Sequence, residues 1–251
     1  MPPRIHEASQ VGTGFKAWWE GVPPITRYMA AGMVLTTVAC NLGVINPMWL
    51  ALFWQPVLRK FEIWRLFTNF FYHGKLSINF VVRIVWVYTY AIPLEKQIYQ
   101  FEPADYMFML LFNGLLCILS SPVFGFAILG APLIMSIIYI WARNFPDQQV
   151  SLYGIVKIQS FFLPFAFACI SLLMGQSIVP DLVGIAVGHI YWYLKEIYPA
   201  QRGHQVLTTP SFLRQWLADA GLRGNAPPPQ EASGAPQGFQ AFRGGGRRLG
   251  D

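Results

Sequence analysis

Six apolar runs take up most of this chain, and they leave it very few ways to fold. They cover Tyr28–Ile45, Ile78–Leu94, Tyr106–Leu119, Val123–Ala142, Ile155–Met174 and Leu182–Tyr198. A hydrocarbon core asks for about 20 mainly apolar residues per helical crossing. Only helices and closed barrels satisfy their own backbone there. Runs of this length predict an all-α polytopic membrane protein with six transmembrane helices. Composition agrees: 54% of residues are apolar and only 12% are Asp, Glu, Lys or Arg, about half the charged fraction of a soluble domain. Nine tryptophans and 16% aromatic residues suit a chain with two membrane–water interfaces.

Two of the runs look short. Tyr106–Leu119 and Leu182–Leu194 would span roughly 21 and 20 Å at the helical rise, against a core of about 30 Å. Such spans thin the bilayer or end on a snorkelling side chain such as Lys195. Between the first two runs, residues 46–77 are nearly as apolar as a span. They are divided by Pro47, Pro56 and the charges of Arg59, Lys60, Glu62 and Arg65, so a pair of interfacial helices is expected.

The net charge of +6 does not point to nucleic acid. The basic residues lie in loops and tail rather than in a stripe interleaved with aromatics. Of the 18 Lys and Arg, 13 fall on the side of the termini and four in the first loop, with Arg83 inside a span. Both termini are therefore expected in the cytosol. Residues 1–24 contain no apolar core of a signal peptide, so the first span is expected to act as an uncleaved anchor. Cys40, Cys117 and Cys169 each lie inside an apolar run without CxxC spacing and read as spectator thiols. Neither a metal nor a cofactor is expected.

The chain divides into a cytosolic segment (1–24), a six-helix membrane domain (25–200), a short amphipathic cytosolic helix (201–220) and a disordered tail (221–251). In that helix Thr209 is placed to cap, Pro210 suits the first position, and Phe212, Leu213, Trp216 and Leu217 share a face. The tail is mostly Gly, Pro, Ala and Gln and has too little to bury. Yet it closes on "FRGGGRRLGD", keeping Phe242 and Leu249 as apolar residues around a glycine run.

Two constellations stand out in the membrane domain. "EIWR", Glu62 to Arg65, can fix a loop by ion pairing and cation–π contact, or it can be an ordinary interfacial anchor. "GIAVGHIYW" sets Gly184 and Gly188 four residues apart, baring one helix face for a neighbouring backbone. His189 lies one position round. Catalysis by it would need an activated serine, and Ser136 in "GAPLIMS" has no flanking glycines, so His189 reads as a packing and hydrogen-bonding residue.

Taken in order, "PPITRY", "EIWR", "PADYMFMLLFN", "APLIMSIIYIWA", "GIAVGHIYW" and "TPSFLRQWL" resemble the Derlin family, the rhomboid-like pseudoproteases of the endoplasmic reticulum. The likeness runs from about Pro23 to Leu217. It implies a rhomboid-like bundle, a Trp-Arg loop motif at Trp64 and Arg65, and an intramembrane Gly-x-x-x-Gly at Gly184 and Gly188. The Gly-x-Ser-Gly nucleophile of active rhomboids is missing, which implies no catalytic residue. The tail is similar to the Phe-x-Gly-x-Gly-x-x-Leu-Gly peptide by which Derlins bind the AAA unfoldase valosin-containing protein. It matches at Phe242, Gly244, Gly246, Leu249 and Gly250. The resemblance implies return of misfolded proteins from the endoplasmic reticulum to the cytosol for degradation. It also implies an ER ubiquitin-ligase complex, misfolded ER proteins and the lipid bilayer as partners, and is compatible with a homo-oligomer. The rival readings are an active intramembrane serine protease and a membrane tether without a translocation role.

Overall fold

The computed structural model describes residues 16–152, 156–222 and 224. The chain is mostly helical. α1 (Pro24–Asn41) opens with Pro at its first position, where the missing N–H costs nothing. Three short helices follow in the first loop: α2 (Pro47–Leu50), α3 (Trp54–Lys60) and α4 (Arg65–Thr68), one more than expected. α5 (Ile78–Trp86) continues without a break through π-helical turns at Val87–Ala91 and Leu94–Ile98. After it come α6 (Pro103–Phe124) and α7 (Gly130–Asn144). A hairpin of β1 (Gln149–Leu152) and β2 (Val156–Gln159) pairs Ser151 with Lys157, so the fold is not all-α as expected. α8 (Leu163–Leu173) is led by a 3-10 turn at Ser160–Phe162. α9 (Val179–Trp192) runs on through a π-turn at Tyr193–Ile197 and the turn Tyr198–Arg202. Last described is α10 (Ser211–Asp219).

Among the described residues α6 is the helix long and apolar enough to cross a bilayer, and Ser160–Leu173 is a shorter apolar one. The expectation of short third and sixth spans does not hold. Ser120, Ser121 and Pro122 do not end α6. The Ser120 hydroxyl donates to the Cys117 carbonyl at 2.7 Å and the Ser121 hydroxyl to Phe126 O at 2.8 Å. The helix continues to Phe124 and stops at Gly125, whose φ of +71° suits a left-handed cap. Val123 and Phe124 thus belong to α6, and α7 starts seven residues later than expected. Asp181 does not bound the sixth run either, since α9 begins at Val179 and helical structure continues to Arg202. The expected fifth run loses its first residues to the hairpin.

α7 is the central element. Leu133 to Ala142 are all buried, as befits a helix packed on every side. α9 makes its most extensive contact, with α5, α6 and α8 around it. Trp86, Tyr90, Trp141 and Phe167 form an aromatic knot where α5, α7 and α8 meet, with Trp86 stacked on Phe167 at 4.3 Å.

Candidate functional site

Arg65 is the hub of the first loop. Phe61 ends α3 in the left-handed region at φ 55°, unusual for a bulky residue, and this turn brings Glu62 round to Arg65. The buried guanidinium donates from Nε to Glu62 Oε2 at 2.5 Å and from Nη1 to the carbonyls of Met48 and Ala51, the latter at 2.8 Å. One side chain thus ties α2 to the start of α4. Asn69 extends the tie, donating to the carbonyls of Arg65 and Leu66 at 2.6 and 3.0 Å. Trp64, expected as a partner of Arg65, instead leads into α4 and is 53% exposed. The loop is seated on the helices by Leu52, Val57 and Leu66, which pack with Cys117, Leu129, Val183 and Val187.

Gly184 and Gly188 lie where α9 crosses α7. A Cβ on Gly184 would stand 2.4 Å from the Pro132 carbonyl oxygen and 2.7 Å from Met135 Cβ. One on Gly188 would stand 2.9 Å from Ser136 O and 3.0 Å from Tyr139 Cβ. Ser136 donates its hydroxyl to Leu133 O at 2.7 Å and receives Asn113 Nδ2 at 3.2 Å. His189 Nδ1 shares a hydrogen bond of 2.7 Å with the Tyr139 hydroxyl, which also accepts from Arg143 Nε at 2.8 Å. The Arg143 guanidinium sits within 4.9 Å of the ring centroids of Tyr139, Phe161 and Trp192. Sequence reasoning missed this cage; an Arg one helical turn after a Tyr was its only signal.

Two further clamps hold the end of the bundle where α1 and α6 begin. Glu95 is buried and accepts from the backbone amides of Ile25 and Thr26 at 2.9 and 2.7 Å, capping α1 in place of Pro23, which has no cap to offer. Asp105 gathers Lys195 at 3.0 Å, Arg214 at 3.6 Å and the Thr209 hydroxyl. Thr209 therefore does not cap α10, and Pro210 stands at that position. Of the face expected for α10, Leu213 and Leu217 are buried, whereas Phe212 and Trp216 are exposed.

Between the loop and α10 lies an apolar crevice of about 690 Å³, walled by α1 (Met29, Met33), α6 (Met107, Gly114) and α7 (Leu133, Ile134). His73 and Gly130 lie at the end nearer the loop and Leu217 at the other. Burial, with the nearby charge of Arg83, lowers the His73 pKa to about 3 and keeps the imidazole neutral. Among the described residues no cluster of His, Cys, Asp or Glu could hold a metal ion. Phe242, Gly244, Gly246, Leu249 and Gly250 lie outside the described residues.

A model of the Der1-like family matches residues 22–211, which takes in the loop hub, the glycine crossing, the Glu95 clamp and all of the Asp105 clamp but Arg214. The chain belongs to the Der1-like family. This Der1-like chain is 36% identical to Derlin-1 of Oryza sativa subsp. japonica over 92% of its own length and 97% of that protein. It is 34% identical to Derlin-1 of Homo sapiens over 84% of its length and 87% of the relative. Derlin-1 of Arabidopsis thaliana is 36% identical over 80% of the chain and 76% of the relative.

Proposed function

We propose that this chain is a multi-pass protein of the endoplasmic reticulum membrane that helps misfolded proteins return to the cytosol for degradation. In this reading six helices cross the bilayer and both termini are cytosolic. The tail recruits the AAA unfoldase valosin-containing protein through Phe242, Gly244, Gly246, Leu249 and Gly250, beside an ER ubiquitin-ligase complex. The observation that carries the reading is the likeness to Derlin-1 over 92% of the chain. The apolar side chains left outward support a lipid surround: Leu35, Leu115, Leu119, Val123 and Leu173 are each more than half exposed.

The protein works without peptide-bond chemistry. Supporting this, Ser136 stands between Met135 and Ile137, its hydroxyl given to Leu133, and His189 is engaged with Tyr139. An activated nucleophile would need the histidine as its own partner. Trp64 and Arg65 shape the luminal loop, and Gly184 and Gly188 let α9 approach α7 closely.

Deletion of the gene should stabilise a misfolded ER substrate in a cycloheximide chase. The full chain should restore turnover, and a chain ending before Phe242 should not. Unchanged substrate lifetime on deletion, with the unfoldase still bound, would turn the reading into that of a tether.

A further inference from the structure

The walls of the crevice are unusually uniform in chemistry. None of its described lining residues is Asp, Glu, Lys or Arg, and methionine, leucine, isoleucine and phenylalanine supply most of the surface. Its volume of about 690 Å³ falls in the ordinary range of ligand pockets, about 300–1,000 Å³. The α6 wall runs from Met107 to Ile118, roughly 17 Å at the helical rise. Against this stands one buried polar atom without a protein partner, Nε2 of His73. The ring packs on Gly130, where a Cβ would lie 2.7 Å from Nε2 and 2.7 Å from the Phe70 carbonyl oxygen. A Cβ there would also lie 2.3 Å from Cε1 of the ring, so only glycine leaves the imidazole its seat at this end of the crevice.

These features select among membrane lipids. A phospholipid headgroup carries charge, and the walls offer it no counter-charge. A bare acyl chain brings nothing to meet the imidazole, whose unmet hydrogen bond is costly when buried. A long, rigid apolar body ending in one neutral hydroxyl answers both. We propose that the crevice between α1, α6 and α7 binds a sterol, its hydroxyl hydrogen-bonded to His73 Nε2 and its body lying along α6 toward α10. The neutral state of the imidazole suits an uncharged hydroxyl as partner.

The site rests on the membrane reading above, and the test separates the two. The full chain, reconstituted in phosphatidylcholine nanodiscs, is irradiated with a photoreactive sterol bearing a ring diazirine, and adducts are mapped by mass spectrometry. Adducts are expected on crevice residues such as Met33, Met107 and Leu110, and excess unlabelled sterol should compete them away. His73→Leu should weaken labelling about tenfold, the worth of one good hydrogen bond. Gly114→Leu should do the same by filling the crevice. At Gly114 a Cβ meets only the Phe70 ring at 3.4 Å, so this variant has room to fold if His73→Leu does not. Adducts confined to outward residues such as Leu35 and Leu173, or equal competition by added phosphatidylcholine, would overturn the proposal, and so would full labelling of both variants. The wild-type map decides even where a variant misfolds. Crevice adducts in a protein whose deletion leaves ER substrates unaffected would keep the site and remove the proposed function.

Discussion

Arg65 holds the carboxylate of Glu62 and the carbonyls of Met48 and Ala51 at once. Truncating it leaves a carboxylate only 17% exposed and two carbonyls without their donor. Removing one partner of a buried ion pair costs about 3–5 kcal/mol. Arg65→Ala should therefore lower the melting temperature of the purified protein and open the loop to protease. Arg65→Lys should recover only part of the loss, because an ammonium cannot present the same fork. An unshifted melting curve for Arg65→Ala would remove the hub. His73 gives a pH signature. In the unfolded chain its imidazole takes a proton near its ordinary value of 6.5, while in the folded protein it resists until about pH 3. A depressed pKa makes stability full above 6.5 and erodes it as pH falls toward the folded value. The melting temperature should fall across that window in the wild type and fall less in His73→Leu; equal slopes would count against a buried neutral imidazole.

At the scale of elements, the crossing of α9 on α7 offers a graded test. A methyl on Gly184 meets backbone, the Pro132 carbonyl, at 2.4 Å, whereas one on Gly188 meets its nearest atom at 2.9 Å. Overpacking costs typically about 1–3 kcal/mol, so both alanine variants should melt earlier and Gly184→Ala the earlier of the two. The reverse order would mean that α7 yields where the structure holds it fixed. These glycines were legible in the sequence because a four-residue spacing has one structural meaning on a helix. The helices themselves were legible as apolar runs, but several of their ends were not. Ser120-Ser121-Pro122 reads as a stop, yet serine hydroxyls can fold back onto carbonyls and let a helix continue. The hairpin at 149–159 was hidden although "QVSL" and "VKIQ" alternate, because its second strand runs straight into the apolar stretch that reads as the fifth span. On α10, periodicity put Phe212 and Leu213 on one face, and it cannot tell which of two adjacent positions a neighbouring helix will cover. Glu95 and Asp105 could not have been read as clamps, since their partners lie 69 to 109 residues away in the chain.

For the molecule as a whole, the proposed work divides between a membrane body and a tail that can be tested apart from it. A synthetic peptide of the last ten residues should bind the AAA unfoldase alone. Ala at Phe242 or Leu249 removes one apolar anchor, on the order of 1.5–3 kcal/mol, and should weaken binding about tenfold or more in calorimetry; a double variant that binds like the wild type would rule the anchors out. In the intact protein, Gly184→Leu or Gly188→Leu should stop substrate export while leaving unfoldase binding unchanged, because the binding residues of the tail lie more than fifty positions beyond the glycine pair in the chain.

The cap on α1 also has a meaning in time. The amides of Ile25 and Thr26 find their acceptor in Glu95, 70 and 69 residues further along. At synthesis rates of about 5–20 residues per second, the first helix waits roughly 4–14 seconds between leaving the ribosome and having its leading turn closed. Throughout that interval those two amides lack the acceptor they find in the folded protein. Whatever escorts the nascent chain must shelter those two N–H groups until the second helix arrives to take them over.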